Sequence, residues 1–288
     1  MESERIKSVA VLGAGVMGRG IAHVAAQSGF QTTLIDVSAE ILSDALASIK
    51  ANLKKGVEKG KLAEDAMIGA LARLEIDDRL ERGVRSADLV IEAVPERIDL
   101  KIETLTRAHE NIGPHAILAT NTSSLSITEI AAGCGRADRV AGMHFFNPVH
   151  IMKLVEVIRG LETSAATMEA VVAAARAMGK EVVEVRESPG FVTTRMNALI
   201  GNEAFRMLEE GVASAEDIDR ALKLGLNHPM GPFELVDLVG LDTRLSILEY
   251  LHRTLGERFR PSPLMVQYVK AGRLGRKKGR GVYEYPPK

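Results

Sequence analysis

The sequence predicts an α/β protein: an N-terminal domain with a mostly parallel sheet and a helical insertion, then an all-helical C-terminal domain. Three observations predict it. Short β-branched runs alternate with amphipathic stretches over the first ~185 residues, the pattern of βαβ units. A glycine-rich turn joins the first strand to the first helix. Strand signals all but vanish after Glu187-Ser188-Pro189-Gly190, where Pro and Gly interrupt the pattern. A length of 288 residues fits two domains, read as 1–186 and 187–288.

The strands are expected at Ser8–Leu12, Thr32–Ile35, Leu89–Glu92, Ala116–Thr120, Val140–His144, Leu154–Val157 and Glu181–Val185. Asp88-Leu89-Val90-Ile91-Glu92 is apolar at consecutive positions, as a strand covered on both faces should be. Helices are expected at Val16–Ser28, Ala39–Lys59, Ile98–Asn111 and Thr167–Met178. The stretch from Ala39 to Ala72 is rich in Lys and Glu and reads as a helical insertion protruding from the sheet. Beyond the break, helices are expected at Phe191–Glu210, Ala215–Leu224, Pro232–Val239, Thr243–Leu255 and Pro263–Ala271. Ser214 with Asp217 resembles a capping box, and Gly225 stands where a C-terminal cap belongs. The Met- and Leu-rich helices suit a homodimer surface.

Composition narrows the function. A net charge of −1 gives no electrostatic reason to expect nucleic acid or a membrane surface as partner. Trp is absent and aromatics make up 4%, a poor platform for stacking bases. No apolar run approaches the ~20 residues that span a bilayer. The single cysteine, Cys134, excludes an internal disulfide framework and fits a reducing compartment. The first five residues, Met1-Glu2-Ser3-Glu4-Arg5, show no secretory signal, so a cytoplasmic location is expected. Nothing calls for a metal.

Gly13-Ala14-Gly15-Val16-Met17-Gly18 follows a strand and opens a helix, the setting in which G-x-G-x-x-G marks a Rossmann dinucleotide site. Gly13 permits the tight turn, Gly15 admits a pyrophosphate close to the backbone, and Gly18 lets helix and strand pack closely. Asp36, at the end of the second strand, suits the adenosine ribose. Its carboxylate would repel a 2′-phosphate, and Val37 and Ser38 offer no cation, so NAD is favoured over NADP. A glycine turn that binds nothing, or FAD, is the alternative.

Oxidising an alcohol requires a base for the hydroxyl proton, and a neutral imidazole held by an acid is suited to it. Of seven histidines, His144 ends a strand at the carboxyl edge, where open α/β sheets bind ligands. Phe145-Phe146-Asn147-Pro148 follows, then a strand containing Glu156, which adjacent strand ends would bring against His144. A strand-end histidine with an ordinary hydrogen-bonded neighbour is the plainer reading. Thr120-Asn121-Thr122-Ser123-Ser124-Leu125 is a second polar cluster that meets a substrate oxygen or caps the next helix.

Together these segments resemble the 3-hydroxyacyl-CoA dehydrogenase family in its short bacterial form. The likeness runs end to end through the Gly13–Gly18 loop, Asn121–Leu125, His144–Pro148, Lys153–Glu156, Pro189–Phe191 and Pro229–Leu235. It implies His144 as catalytic base, Glu156 as its partner, and Ser123 at the substrate oxygen and nicotinamide end. It implies cofactor contacts at Val16, Met17, Asp36, Glu96, Lys101, Asn147 and Lys277, and places Lys59 near a coenzyme A contact. A solvated charge run is the other reading of the tail around Lys277. Thr194 occupies the place of an active-site Asn, and Asn197 lies one turn further along that helix. The implied reaction interconverts (3S)-3-hydroxyacyl-CoA, of short chain, and 3-ketoacyl-CoA with NAD, in a homodimer. A dehydrogenase of a sugar acid or carnitine, or a non-catalytic NAD-binding protein, are the competing readings.

Overall fold

The computed structural model describes residues 6–286. The N-terminal pentapeptide, read above for a secretory signal, lies outside them. The chain divides into two compact units after Ser188.

In the first unit, β1 (Ser8–Leu12) leads into α1 (Val16–Gln27), and β2 (Gln31–Ile35) into α2 (Ala39–Glu58) and α3 (Glu64–Ala72). There follow β3 (Leu74–Asp77), α4 (Leu80–Gly83), β4 (Leu89–Glu92), α5 (Ile98–His109), β5 (Ile117–Thr120), α6 (Ile127–Gly133) and β6 (Val140–Phe145). The unit closes with β7 (Leu154–Arg159), α7 (Ala165–Ala177) and β8 (Glu181–Arg186). One eight-stranded sheet runs β3-β2-β1-β4-β5-β6-β7-β8. Every neighbouring pair is parallel except β6 and β7. The chain order reverses between β1 and β4, the switch point beside which such sheets bind nucleotides at their carboxyl ends.

All four residues of β4 and of β5 are buried, as central strands covered on both faces require. The strand not foreseen is β3. Its sequence, Leu74-Glu75-Ile76-Asp77, alternates apolar and acidic residues and is only half-buried. An edge strand tolerates such charges, which hid it among helix-like residues. The expected helical insertion is present as α2 and α3, and its inner face is packed. Leu42, Ala45, Ile49 and Leu53 on α2 and Ala70 on α3 join the core that contains Ile21 and Ala25 of α1. Burying Leu or Ile contributes roughly 1.5–3 kcal/mol per side chain, so the apolar stripe fixes the hairpin to the sheet despite its charged outer face. The Ser38 hydroxyl starts α2 by accepting the Ile41 amide at 3.2 Å.

The second unit holds α8 (Thr193–Glu209), α9 (Ala215–Gly225), α10 (Pro232–Val239), α11 (Leu241–Leu255) and α12 (Pro263–Lys270). Their buried faces meet around Phe205, Phe233, Leu248 and Phe259, with the Phe205 and Phe233 rings edge to face at 5.2 Å. Ser214 caps α9, accepting the Asp217 amide at 3.1 Å and donating to the Asp217 carboxylate at 2.9 Å. The helix does not stop on Gly225 as expected. It runs through that residue, and Asn227 takes the left-handed turn at φ 56°, a conformation Asn tolerates. Asp219 caps α10 through the amides of Phe233 and Glu234. The buried Asp237 accepts the amides of Val282 and Tyr283 and the Tyr285 hydroxyl, tying down the C-terminal segment.

Candidate active site

At the dinucleotide turn, each glycine answers a local demand. Gly13 sits at φ 96°, and a Cβ there would press to 2.9 Å from the Ala93 carbonyl oxygen. A Cβ on Gly18 would collide with the Gly13 carbonyl oxygen, whereas one on Gly15 would meet nothing within 4 Å. Gly15 therefore faces open space at the head of α1. It is also the helix N-cap and no side chain satisfies the amides behind it, nor does an acid occupy the first turn. Unclaimed amides at a positive helix end fit a pyrophosphate. Val16 is exposed and Met17 half-buried beside them.

Asp36 reaches this turn from the end of β2. Its Oδ2 accepts the Ala14 amide at 2.8 Å, and Oδ1 accepts the Ser38 amide at 3.1 Å. A carboxylate has about four acceptor directions, so lone pairs remain for ribose hydroxyls. These residues fit a dinucleotide.

The second group stands at the carboxyl ends of β4, β5 and β6. Glu96, in the loop after β4, accepts the Ser123 amide at 3.0 Å and the Ser123 and Thr122 hydroxyls from the loop after β5. Neither Ser123 nor its neighbours cap the next helix; Ser126 does, accepting the Glu129 amide. The Asn121 side chain accepts the Phe145 amide at 2.9 Å, tying this loop to the end of β6.

His144 lies on β6 directly opposite Glu156 on β7 in the antiparallel register. Cross-strand partners share a face, and here Nδ1 stands 2.7 Å from Glu156 Oε2, with His144 7% exposed and Glu156 not at all. The Phe146 ring lies 4.4 Å from the imidazole centroid. Asn147 is exposed on the following loop, and that loop packs on α1, where a Cβ on Gly20 would press on Val149. The buried Lys180 donates to the Val149 and Met152 carbonyl oxygens and holds the loop from beneath.

One residue expected to contact the cofactor is buried. Lys101 is 1% exposed, and its ammonium faces Glu92 at 2.8 Å, the Val94 carbonyl at 3.1 Å and Glu96 at 3.3 Å. Two hydrogen bonds and an ion pair thus hold this ammonium beneath Glu96. In the second unit, Lys277 pairs with Asp242 at 2.8 Å, and Thr194 is buried in the first turn of α8 with Asn197 half-buried one turn on. Sequence reasoning passed over Glu92, whose only signal was an acid ending an otherwise apolar strand.

The switch-point turn, Asp36 at the end of β2 and the mostly parallel sheet define a dinucleotide-binding protein of the Rossmann class. A family model for the 3-hydroxyacyl-CoA dehydrogenase NAD binding domain matches residues 8–188, and one for the 3-hydroxyacyl-CoA dehydrogenase C-terminal domain matches residues 190–285. The chain belongs to the 3-hydroxyacyl-CoA dehydrogenase family. It is 50% identical to a protein of Bacillus subtilis named probable 3-hydroxybutyryl-CoA dehydrogenase, over 98% of this chain and 99% of that one. It is 46% identical to 3-hydroxybutyryl-CoA dehydrogenase of Bradyrhizobium diazoefficiens, over 97% and 96% of the two chains. The crystal structure of (S)-3-hydroxybutyryl-CoA dehydrogenase from Ralstonia eutropha superposes with a TM-score of 0.95 at 45% identity, covering 98% of this chain and 100% of that one. Among the described residues no helix is long and apolar enough to cross a membrane, and no cluster of side chains suits a metal.

Proposed function

We propose that this enzyme interconverts (3S)-3-hydroxyacyl-CoA and 3-ketoacyl-CoA, with 3-hydroxybutyryl-CoA as its short-chain substrate, and that His144 is the acid/base. The observation that carries the reading is the 2.7 Å contact between His144 Nδ1 and Glu156 Oε2 at the carboxyl edge of the sheet. With Nδ1–H donated to the carboxylate, the second ring nitrogen, Nε2, is the basic one. In the oxidative direction Nε2 takes the C3 hydroxyl proton, and the charge that develops on the ring is balanced by Glu156. In the reductive direction the same nitrogen returns a proton to the keto oxygen. Bound NAD supplies the hydride acceptor and NADH the donor.

Ser123 orients the substrate oxygen, and its own direction is set by Glu96. Gly13, Gly15, Val16, Met17 and Gly18 hold the pyrophosphate, Asp36 the adenosine ribose, and Glu96 and Asn147 the nicotinamide end. Lys101 acts through Glu96. In the helical unit, the family resemblance assigns roles to Lys277 and to Thr194, whose hydroxyl stands where that resemblance implies an Asn. The helical unit is assigned substrate binding and homodimerisation, supported by exposed Val212, Leu224, Leu226 and Leu238. A cytoplasmic location accords with the buried free thiol of Cys134.

The test is oxidation of NADH with acetoacetyl-CoA, with NADPH and with free acetoacetate in parallel. Turnover with NADH and the thioester alone is expected. Tight NADH binding without turnover of the thioester would overturn the substrate assignment.

A further inference from the structure

Glu92 ends β4 with no solvent exposure and accepts three hydrogen bonds. Oε1 takes the Val94 amide at 2.7 Å and the Lys101 ammonium at 2.8 Å, and Oε2 takes the Thr120 hydroxyl at 2.7 Å. Each side-chain partner leads onward to the Ser123 loop. Lys101 reaches Glu96 Oε2 at 3.3 Å, and Glu96 Oε1 accepts the amide and hydroxyl of Ser123. Thr120 Oγ1 also receives the Thr122 amide at 3.3 Å. The loop is thus held from two sides, and both supports meet on one buried carboxylate.

A buried ion pair is a weak source of stability, since an apolar pair of similar volume often serves as well. What an apolar pair does not do is divide one cation between two carboxylates. Glu92 is enclosed, whereas the Glu96 side chain is 40% exposed. With Glu92 ionised, Lys101 is already neutralised and Glu96 Oε1 stays available to Ser123. Without that charge, Lys101 would draw Glu96 inward, in competition with the Ser123 donors.

We propose that Glu92 is a positioning residue for the nicotinamide end of the site, acting through Lys101 and Thr120 on Glu96 and Ser123. The proposal rests on the reading that places Glu96 and Ser123 at that end. It deepens that reading by assigning a residue outside contact with substrate or cofactor.

The test compares NADH with ADP-ribose, which shares the adenosine, riboses and pyrophosphate but lacks the nicotinamide. In Glu92→Gln the NADH dissociation constant is expected to rise roughly tenfold, the scale of one lost hydrogen bond to a charged group, with ADP-ribose within about twofold of wild type. A merely structural defect would weaken both ligands alike. Equal weakening of both, or no weakening of either, overturns the proposal. Should Glu92→Gln fail to fold, Thr120→Val cuts one arm only, and the same comparison decides with an expected rise of about threefold for NADH. Binding needs no turnover, so a wild-type enzyme inactive on thioesters would refute the substrate reading while leaving this comparison intact.

Discussion

Acidification from pH 7 to pH 5 should destabilise the first unit through His23. This side chain lies on α1, 4% exposed, with Nε2 3.1 Å from Gln27 Oε1 and its ring stacked 5.3 Å from that of His150. Burial first, then His150, pushes its pKa down from 6.5 to about 4, with Lys180 acting in the same direction and Gln27 opposing. The folded state therefore holds His23 neutral, while the unfolded chain protonates it near pH 6.5. Stability from this group is complete above pH 6.5 and is lost as pH falls from there towards 4. Between pH 7 and pH 5 the loss works out at about 2 kcal/mol, or about 4–8 °C in Tm for a unit of this size. His150, lowered by burial, Lys180 and Lys55, adds a smaller loss of the same sign. The assay is thermal and urea unfolding at several pH values for wild type and His23→Leu. The variant should lose the His23 component of the slope and keep the smaller one of His150. Identical slopes in the two proteins would refute the argument, whatever their absolute stabilities.

Three further outcomes follow from the site and the second unit. His144→Ala should reduce thioester turnover by at least about a hundredfold, as removal of a general base does, with NADH affinity within a few fold; near-wild-type turnover would remove His144 from the chemistry. Asp36→Ala should weaken NADH and raise the use of NADPH relative to NADH, because the carboxylate both engages the Ala14 amide and repels a 2′-phosphate; an unchanged NADH-to-NADPH ratio of kcat/KM would refute the ribose assignment. Asp237→Asn replaces one acceptor oxygen with an amide group beneath Val282, Tyr283 and Tyr285. A cost of about 1–3 kcal/mol is expected, read as a lower Tm and faster proteolysis of the C-terminal segment.

Most of the first unit was legible because parallel strands buried on both faces write themselves as apolar runs. Leu89–Glu92 was read with its observed bounds, and the Gly13–Gly18 turn was identified from its place between strand and helix. What escaped was set by neighbours distant in sequence. Leu74–Asp77 is a strand because β2 pairs with it in register, not because Leu-Glu-Ile-Asp favours one. Glu187 is held by Ser126 and Thr128, residues about sixty positions away, a tie that its local sequence does not show. Gly225 looked like a cap from composition, yet Asn227 supplies the left-handed residue.

The site follows the same division between residue identity and depth. Motif spacing named His144 and Glu156, but only the antiparallel register of β6 and β7 puts them on one face at 2.7 Å. A slip of one residue in that pairing would have turned Glu156 to the opposite face. Lys101 shows the converse: its position was found, yet its ammonium is held below the surface by Glu92, the Val94 carbonyl and Glu96. A cation's role depends on which carboxylates it must neutralise, and that is decided by the carboxyl ends of three strands. Glu92, Thr120 and His144 each stand at or beside such an end, where the sheet stops and its side chains turn from packing to polar partners. The polar chemistry therefore gathers at the one edge where the strands present oriented groups without further strand to bury them.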